Sequence, residues 1–274
     1  MSEAPAAAAR KPAAGVGRTK EVLDIQQLQA PGTWQAVDFI SDLHLCAALP
    51  RTFAAFEQHL QTTPADAVFI LGDLFELWVG DDMADLEFEA RCVAALRAAS
   101  RRITLAFMPG NRDFLVGPQL LQQAGLSRLQ DPTLLQAFGQ RVLLSHGDAL
   151  CLADEPYHNF RHEVRSAAWQ RDFLARPLQE RLRIAGDIRN ASQQRHRFDG
   201  ASDIDVDRTA ALRWLQQAES PVMVHGHTHR PASHTLATGC CRHVLSDWDL
   251  DHGDRAEVLR LSAEGFARLP VASS

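Results

Sequence analysis

An α/β fold with mixed sheets is predicted for this 274-residue chain by three observations. Short apolar runs alternate with segments of helical periodicity, which is the signature of βαβ units. A polar motif follows each of the main apolar runs, as ligand groups do at the carboxyl ends of strands in open α/β sheets. Two further apolar runs near the C-terminus, His243–Ser246 and Glu257–Leu261, read as antiparallel strands added to that framework.

The first strand is predicted over Ala36–Ile40, and Ser-Asp-Leu-His places Asp42 and His44 just past its end, where residues at i and i+2 in extended backbone point the same way. A helix over Thr52–Leu60 follows. Ala67-Val-Phe-Ile-Leu71 is apolar throughout and reads as a buried parallel strand, and Gly72 turns the chain so that Asp73 emerges at its carboxyl end. After a helix over Leu86–Ala98, the strand Ile103–Phe107 leads into Met-Pro-Gly-Asn-Arg-Asp, a forced turn that exposes Asn111 and Arg112. A short helix over Pro118–Ala124 precedes a hairpin, Leu134–Phe138 and Arg141–Ser145 around Gly139-Gln140, which delivers His146-Gly-Asp148. A helix over Asp207–Ala218 and a strand over Pro221–Val224 return to the sheet and end in His225-Gly-His-Thr-His229.

Residues 1–30 carry Ala, Pro, Gly and basic residues without periodicity and are expected to be a disordered arm, with one domain over 31–274. The net charge of −6 argues against a nucleic-acid partner. Five cysteines without a C-x-x-C pair suggest reduced thiols in the cytoplasm, and no apolar run approaches the length of a membrane span. Residues 156–197 differ from the rest: Phe160, Val164, Trp169, Phe173, Leu174, Leu178, Leu182, Ala185 and Ile188 recur at helical spacing among arginines. Nine Arg against six acids over 155–200 give +3, leaving −9 for the remainder. The motif anchors at 42, 73, 111 and 146 are separated by 31, 38 and 35 residues, but 79 separate His146 from His225, so this helical segment is an insertion. Packed on the core, its apolar face is structural; as a lid, it would receive acyl chains while its arginines meet a diphosphate or an anionic membrane surface.

Asp42, His44, Asp73, Asn111, His146, His225 and His227 together offer imidazole, carboxylate and amide donors without thiolate, a set suited to Mn²⁺, Fe²⁺ or Zn²⁺ rather than Ca²⁺. A single carboxylate between two cations can bridge them at about 3.5–4 Å, and Asp73 is assigned that part. Phosphoester hydrolysis is the chemistry such a pair performs. A metal-stabilised interaction module is the alternative of another class; structural metal sites are closed, whereas catalytic ones keep an open position.

In order, Asp42-Leu-His44, Gly72-Asp73, Gly110-Asn111, His146 and Gly226-His227 with His225 resemble the calcineurin-like metallophosphoesterases over about residues 37–246. The resemblance implies an αββα sandwich flanked by helices and two metal ions. Arg112 departs from the superfamily, which usually has His after Gly-Asn. With Gly-Asp-Leu-Phe-Glu-Leu-Trp-Val-Gly-Asp-Asp and His-Gly-His-Thr-His-Arg-Pro, this departure resembles the branch that hydrolyses UDP-linked diacylglucosamine in lipid A synthesis. That branch implies two Mn²⁺ ions, a lipid-linked UDP-sugar substrate, a peripheral place on the cytoplasmic face of the bacterial inner membrane, and a monomer as the expected state. By the same resemblance Asn111, Arg112 and His225 are catalytic, and Asn111, Arg112, Asp154, Ser192, His196 and His225 bind substrate. Asp199 stands where related enzymes often have Lys. A soluble nucleotide is the alternative substrate, one for which an apolar insertion has no use.

Overall fold

The computed structural model describes residues 23–199 and 204–271, with side chains described as far as 190 and again from 204. Two six-stranded mixed sheets pack face to face, and helices cover both outer faces. The chain runs β1 (Gln26–Gln29), β2 (Ala36–Ile40), α1 (Pro50–Thr62), β3 (Ala67–Leu71), α2 (Glu87–Ala99), β4 (Thr104–Met108), α3 (Pro118–Ala124), β5 (Leu126–Arg128), β6 (Thr133–Ala137) and β7 (Gln140–Ser145). The insertion follows as α4 (Glu155–Val164), α5 (Ala167–Leu174) and α6 (Leu178–Asp199). Then come α7 (Arg208–Gln217), β8 (Val222–His225), β9 (Ala232–Ala237), β10 (Cys240–Val244), β11 (Glu257–Ser262) and β12 (Gly265–Pro270).

One sheet has the order β12-β11-β2-β3-β4-β5, its parallel centre built by the expected βαβ units. Strand β3 is buried along its whole length, as an apolar strand covered on both faces must be. The other sheet has the order β1-β6-β7-β8-β10-β9. Between the sheets lie Val37, Phe39, Phe69, Leu71, Met108, Leu144 and Val224. Helices α1, α2 and α3 cover the first sheet around Phe56, Phe107 and Trp78, and α7 covers the second around Leu143 and Met223. The expected αββα sandwich is therefore observed. All five cysteines are free thiols.

Three expectations are corrected here. The arm reaches only part of residues 1–30: Gln26–Gln29 form β1, paired in parallel with β6, because the alternation Gln-Gln-Leu-Gln offers Leu28 to the core beside Leu135. Residues 1–22 lie outside the described residues. The hairpin turns at Phe138-Gly139 rather than Gly139-Gln140, with φ of 52° and 73°, the mirror-image turn whose twist matches the flanking strands. Packing of Phe138 against the inter-sheet core holds a bulky residue in that conformation. Finally, the C-terminal strands are not all antiparallel: β10 is parallel to β8 and antiparallel to β9, while β11 pairs antiparallel with both β2 and β12.

Candidate metal centre

The loops after β2, β3, β4, β7 and β8 converge at one edge of the sandwich. Seven non-glycine residues of the described chain have positive φ, and five of them, Asp42, His44, Asp73, His227 and His229, stand in these loops. Backbone held in this region costs on the order of 1–3 kcal/mol per residue, and such strain gathers where side chains must be aimed. Gly110 serves the same end, since a Cβ there would overlap the Asp73 carboxylate and backbone.

Two groups share Asp42, which is fully buried. In the first, the ligand atoms of Asp42, His44 and His229 lie within 4.8 Å of one another, and His44 Nε2 faces His229 Nε2 at 3.3 Å. In the second, Asp42, Asp73 and His146 do the same. Asn111 joins it: its Oδ1 lies 2.9 Å from both His146 Nε2 and His227 Nδ1. Asp73 stands between the groups, with Oδ2 4.0 Å from His44 Nε2 and Oδ1 3.7 Å from His146 Nε2. Its two oxygens thus face opposite halves, the disposition a bridge needs.

The donor set fits cations. Asp42 Oδ1 is buried with only the His229 ring, at 3.3 Å and without hydrogen-bond geometry, beside it, a state costly for a carboxylate unless a positive charge satisfies it. His146 Nδ1 lies 2.9 Å from the Leu71 carbonyl, an acceptor only, so Nδ1 carries the hydrogen and Nε2 presents a lone pair to the cluster. Burial by itself would raise the Asp42 carboxyl, yet His229, with His146 and His44 behind it, holds it well below the usual range. Burial presses His227 down to about 4, so it is neutral, as a ligand must be.

His225 does not reach the cluster. Its Nδ1 is 2.9 Å from the Gly226 carbonyl and its Nε2 is 3.1 Å from an Arg242 nitrogen, so the ring donates with one nitrogen and accepts with the other. Arg242 is in turn held by both oxygens of Asp205, at 2.9 and 2.5 Å. Both ring nitrogens of His225 are thus engaged away from the cluster, while His229, which the sequence reading did not single out, lies beside His44. The sequence carried no signal for this, since the strand is read there as ending at Val224, whereas His225 is the last residue of β8.

Asp113 and Asp148 support the site and were also passed over. Buried Asp113 accepts backbone N–H groups of Gly110 at 2.8 Å and Leu74 at 2.7 Å, tying the loop of Asn111 to that of Asp73. Burial and the charge of Asp73 raise it to about 7. Asp148 Oδ2 accepts from Tyr157 at 2.6 Å and from Arg161 at 2.8 Å, fastening α4 beside the metal loops, and Tyr157 stacks on His227. Burial opposes its charge, but Arg165 and Arg161 keep it ionised.

Arg112 donates its backbone N–H to Asp73 Oδ1 at 2.8 Å, and its side-chain Nε is buried without a hydrogen-bond partner. Asp154 caps α4 by accepting from the Tyr157 N–H. Ser192, His196 and Asp199 fall on α6, where side chains lie outside the described residues. Phe75 and Trp78 are core residues, as their type suggests.

Buried loops, oxygen and imidazole donors, and mixed sheets define a metallophosphoesterase. The family model of the calcineurin-like phosphoesterases matches residues 36–231, and the chain belongs to that family. Three similar proteins are each called UDP-2,3-diacylglucosamine hydrolase. That of Xanthomonas axonopodis pv. citri is 42% identical over 83% of this chain and 95% of its own length. That of Chromobacterium violaceum is 43% identical over 86% and 99%, and that of Aromatoleum aromaticum 43% identical over 83% and 93%. No described helix is long and apolar enough to cross a membrane.

Proposed function

We propose that this hydrolase cleaves the pyrophosphate of UDP-2,3-diacylglucosamine, with water attacking the α-phosphorus to release UMP and 2,3-diacylglucosamine 1-phosphate. The observation that carries this is the convergence of Asp42, His44, Asp73, Asn111, His146, His227 and His229 beside a helical insertion with exposed apolar residues, in a chain whose relatives bear that name. Asp42, His44 and His229 would hold one divalent ion, Asn111, His146 and His227 a second, and Asp73 both; two Mn²⁺ suit this donor set. Such ions supply Lewis acidity and charge neutralisation at a phosphoryl centre.

The protein's own groups then have defined tasks. Arg112 offers a planar, permanently charged fork to diphosphate oxygens, and the partnerless Nε is a donor awaiting an acceptor. The P–O bond to the sugar phosphate breaks as the bond from water forms, and the leaving phosphomonoester, with a second pKa of about 6, departs without a proton. The water proton passes to solvent. Residues 156–197 act as a lid, with Leu174 and Ile188 exposed for acyl chains and the exposed Arg171, Arg176 and Arg183 available to an anionic bilayer on the cytoplasmic face of the inner membrane. Asp154, Ser192 and His196 bind the head group, the part that the resemblance to the family gives them. The test is hydrolysis by purified protein with Mn²⁺ of UDP-2,3-diacylglucosamine, UDP-N-acetylglucosamine and a chromogenic phosphodiester. Turnover of the first with release of UMP is expected; preference for either soluble substrate would overturn the reading.

A further inference from the structure

Glu76 lies three residues beyond Asp73, with 16% of its side chain exposed, and its two oxygens point at different parts of the molecule. Oε2 is 3.0 Å from His44 Nδ1, on the side of the ring away from the metal cluster. Oε1 is 2.7 Å from Nε of Arg189, on helix α6 of the insertion. Neither contact has hydrogen-bond geometry, so the carboxylate acts by its charge: beside Nδ1 it favours the hydrogen on that nitrogen and leaves Nε2 as the lone pair, and Nε2 is the nitrogen that faces His229 and Asp73. The same helix is seated on this loop a second time, where Arg181 bonds the Val79 carbonyl and Asp82. Eight residues further along, about 12 Å at the helical rise, Arg189 meets Glu76.

We propose that Glu76 is a positioning residue that couples the helical insertion to the metal centre: Arg189 fixes the carboxylate, and the carboxylate fixes the ring of His44. Seating of α6 and retention of the ion held by Asp42, His44 and His229 then strengthen each other, since coupling between two sites is reciprocal. The inference rests on the two-ion reading above and assigns Glu76 and Arg189 a part in it that needs no substrate.

The test is Mn²⁺ binding by the full chain, measured by calorimetry and chelator competition without substrate, for wild type, Glu76→Gln, Arg189→Met and the double variant. Glu76→Gln should weaken one ion about 10- to 100-fold, the usual effect of removing a partner behind a ligand, and leave the second ion within about twofold. Arg189→Met should weaken the same ion several-fold, and the double variant should equal Glu76→Gln, because Arg189 acts only through Glu76. Mn²⁺ should slow proteolysis within residues 155–199 in the wild type and not in Glu76→Gln. Wild-type affinity in Arg189→Met, or a double-variant loss equal to the product of the single losses, overturns the coupling. A wild type that binds no Mn²⁺ overturns the two-ion reading instead. Arg189 is 42% exposed, so its variant decides the matter even if Glu76→Gln does not fold.

Discussion

At the scale of residues, three histidines in five positions divide by what each ring nitrogen already holds. His225 is satisfied on both sides by Gly226 and Arg242, whereas His229 faces Asp42 Oδ1 at 3.3 Å and His44 at the same distance. His229→Ala should therefore cost an ion and most of the turnover. His225→Ala should keep both ions and lose about 1–3 kcal/mol of stability, the usual result of leaving a buried donor unpaired. Elemental analysis with urea unfolding separates the two, and loss of metal from His225→Ala would return that ring to the ligand set. Arg112→Ala should lower turnover a hundredfold or more, in line with the ~3–4 kcal/mol of one lost electrostatic donor, at unchanged metal content. A change confined to KM would mean that Arg112 binds ground state and transition state alike. Six of the seven residues read as ligands, Asp42, His44, Asp73, Asn111, His146 and His227, are brought together by the fold, because Asp and Asn in short loops after apolar strands have few other uses and the His beside them share the pattern. The choice among His225, His227 and His229 was not, because it turns on Arg242 and Asp205, which are 17 and 20 residues away in sequence.

At the scale of elements, the insertion has two apolar faces with different tasks. Phe173 is buried against the core that also holds Trp78 and Val79, with Trp169 stacked on it at 4.6 Å, and Leu178 and Leu182 pack beside them. Helical periodicity revealed a helical insertion but neither its division into three helices nor which apolar residues face inward, since that depends on the groove offered by the loop after β3. Phe173 and Leu178, natural candidates for lipid contact from sequence, thus hold the insertion in place. Phe173→Ala should cost about 3–5 kcal/mol, as emptying a buried aromatic site does, and should impair every substrate. Leu174 and Ile188 are 42% and 37% exposed, so Leu174→Ser and Ile188→Ser should leave stability nearly unchanged and reduce only turnover of diacylated substrate. Each buried methylene is worth about 0.8 kcal/mol, and only an acyl chain can use it. Parallel losses on diacylated and chromogenic substrates by the serine variants would remove these two residues from the lipid surface. Strands β2, β3, β4 and β11 of the first sheet were legible to within a residue because they are largely apolar, whereas the three-residue β5 and the half-polar β12 were not read. By contrast β1, with three Gln in four residues, is a strand only because β6 lies open beside it.

At the scale of the whole molecule, the metal loops come from both sheets, Asp42, Asp73 and Asn111 from one and His146, His227 and His229 from the other, so the site exists only while the sandwich holds its register. Away from the site, that register is fixed in the first sheet by a buried polar knot. Asp38 of β2 accepts from Arg260 of β11 at 2.6 and 2.9 Å and from Thr63 at 2.6 Å, and His59 of α1 stands 3.4 Å from the same carboxylate. Burial lowers the His59 pKa below 6.5, and Arg260 and Arg102 add to the depression against the pull of Asp38. An unfolded chain takes up this proton near pH 6.5, while the folded one refuses it until a lower pH. In that window the unfolded state binds more protons, so stability falls as pH falls, by at most about 1.36 kcal/mol per unit for this one group. Above the unfolded value both states are neutral and the contribution is constant. His59→Gln removes the group and should flatten the acid limb of the stability curve while leaving the curve near pH 8 offset but parallel. Urea unfolding of both proteins at a series of pH values, in chelator so that metal affinity does not enter, measures the difference directly. Curves that remain parallel through pH 5.5 would mean that the His59 proton is bound equally in both states, and that the knot is held by Arg260 and Thr63 alone.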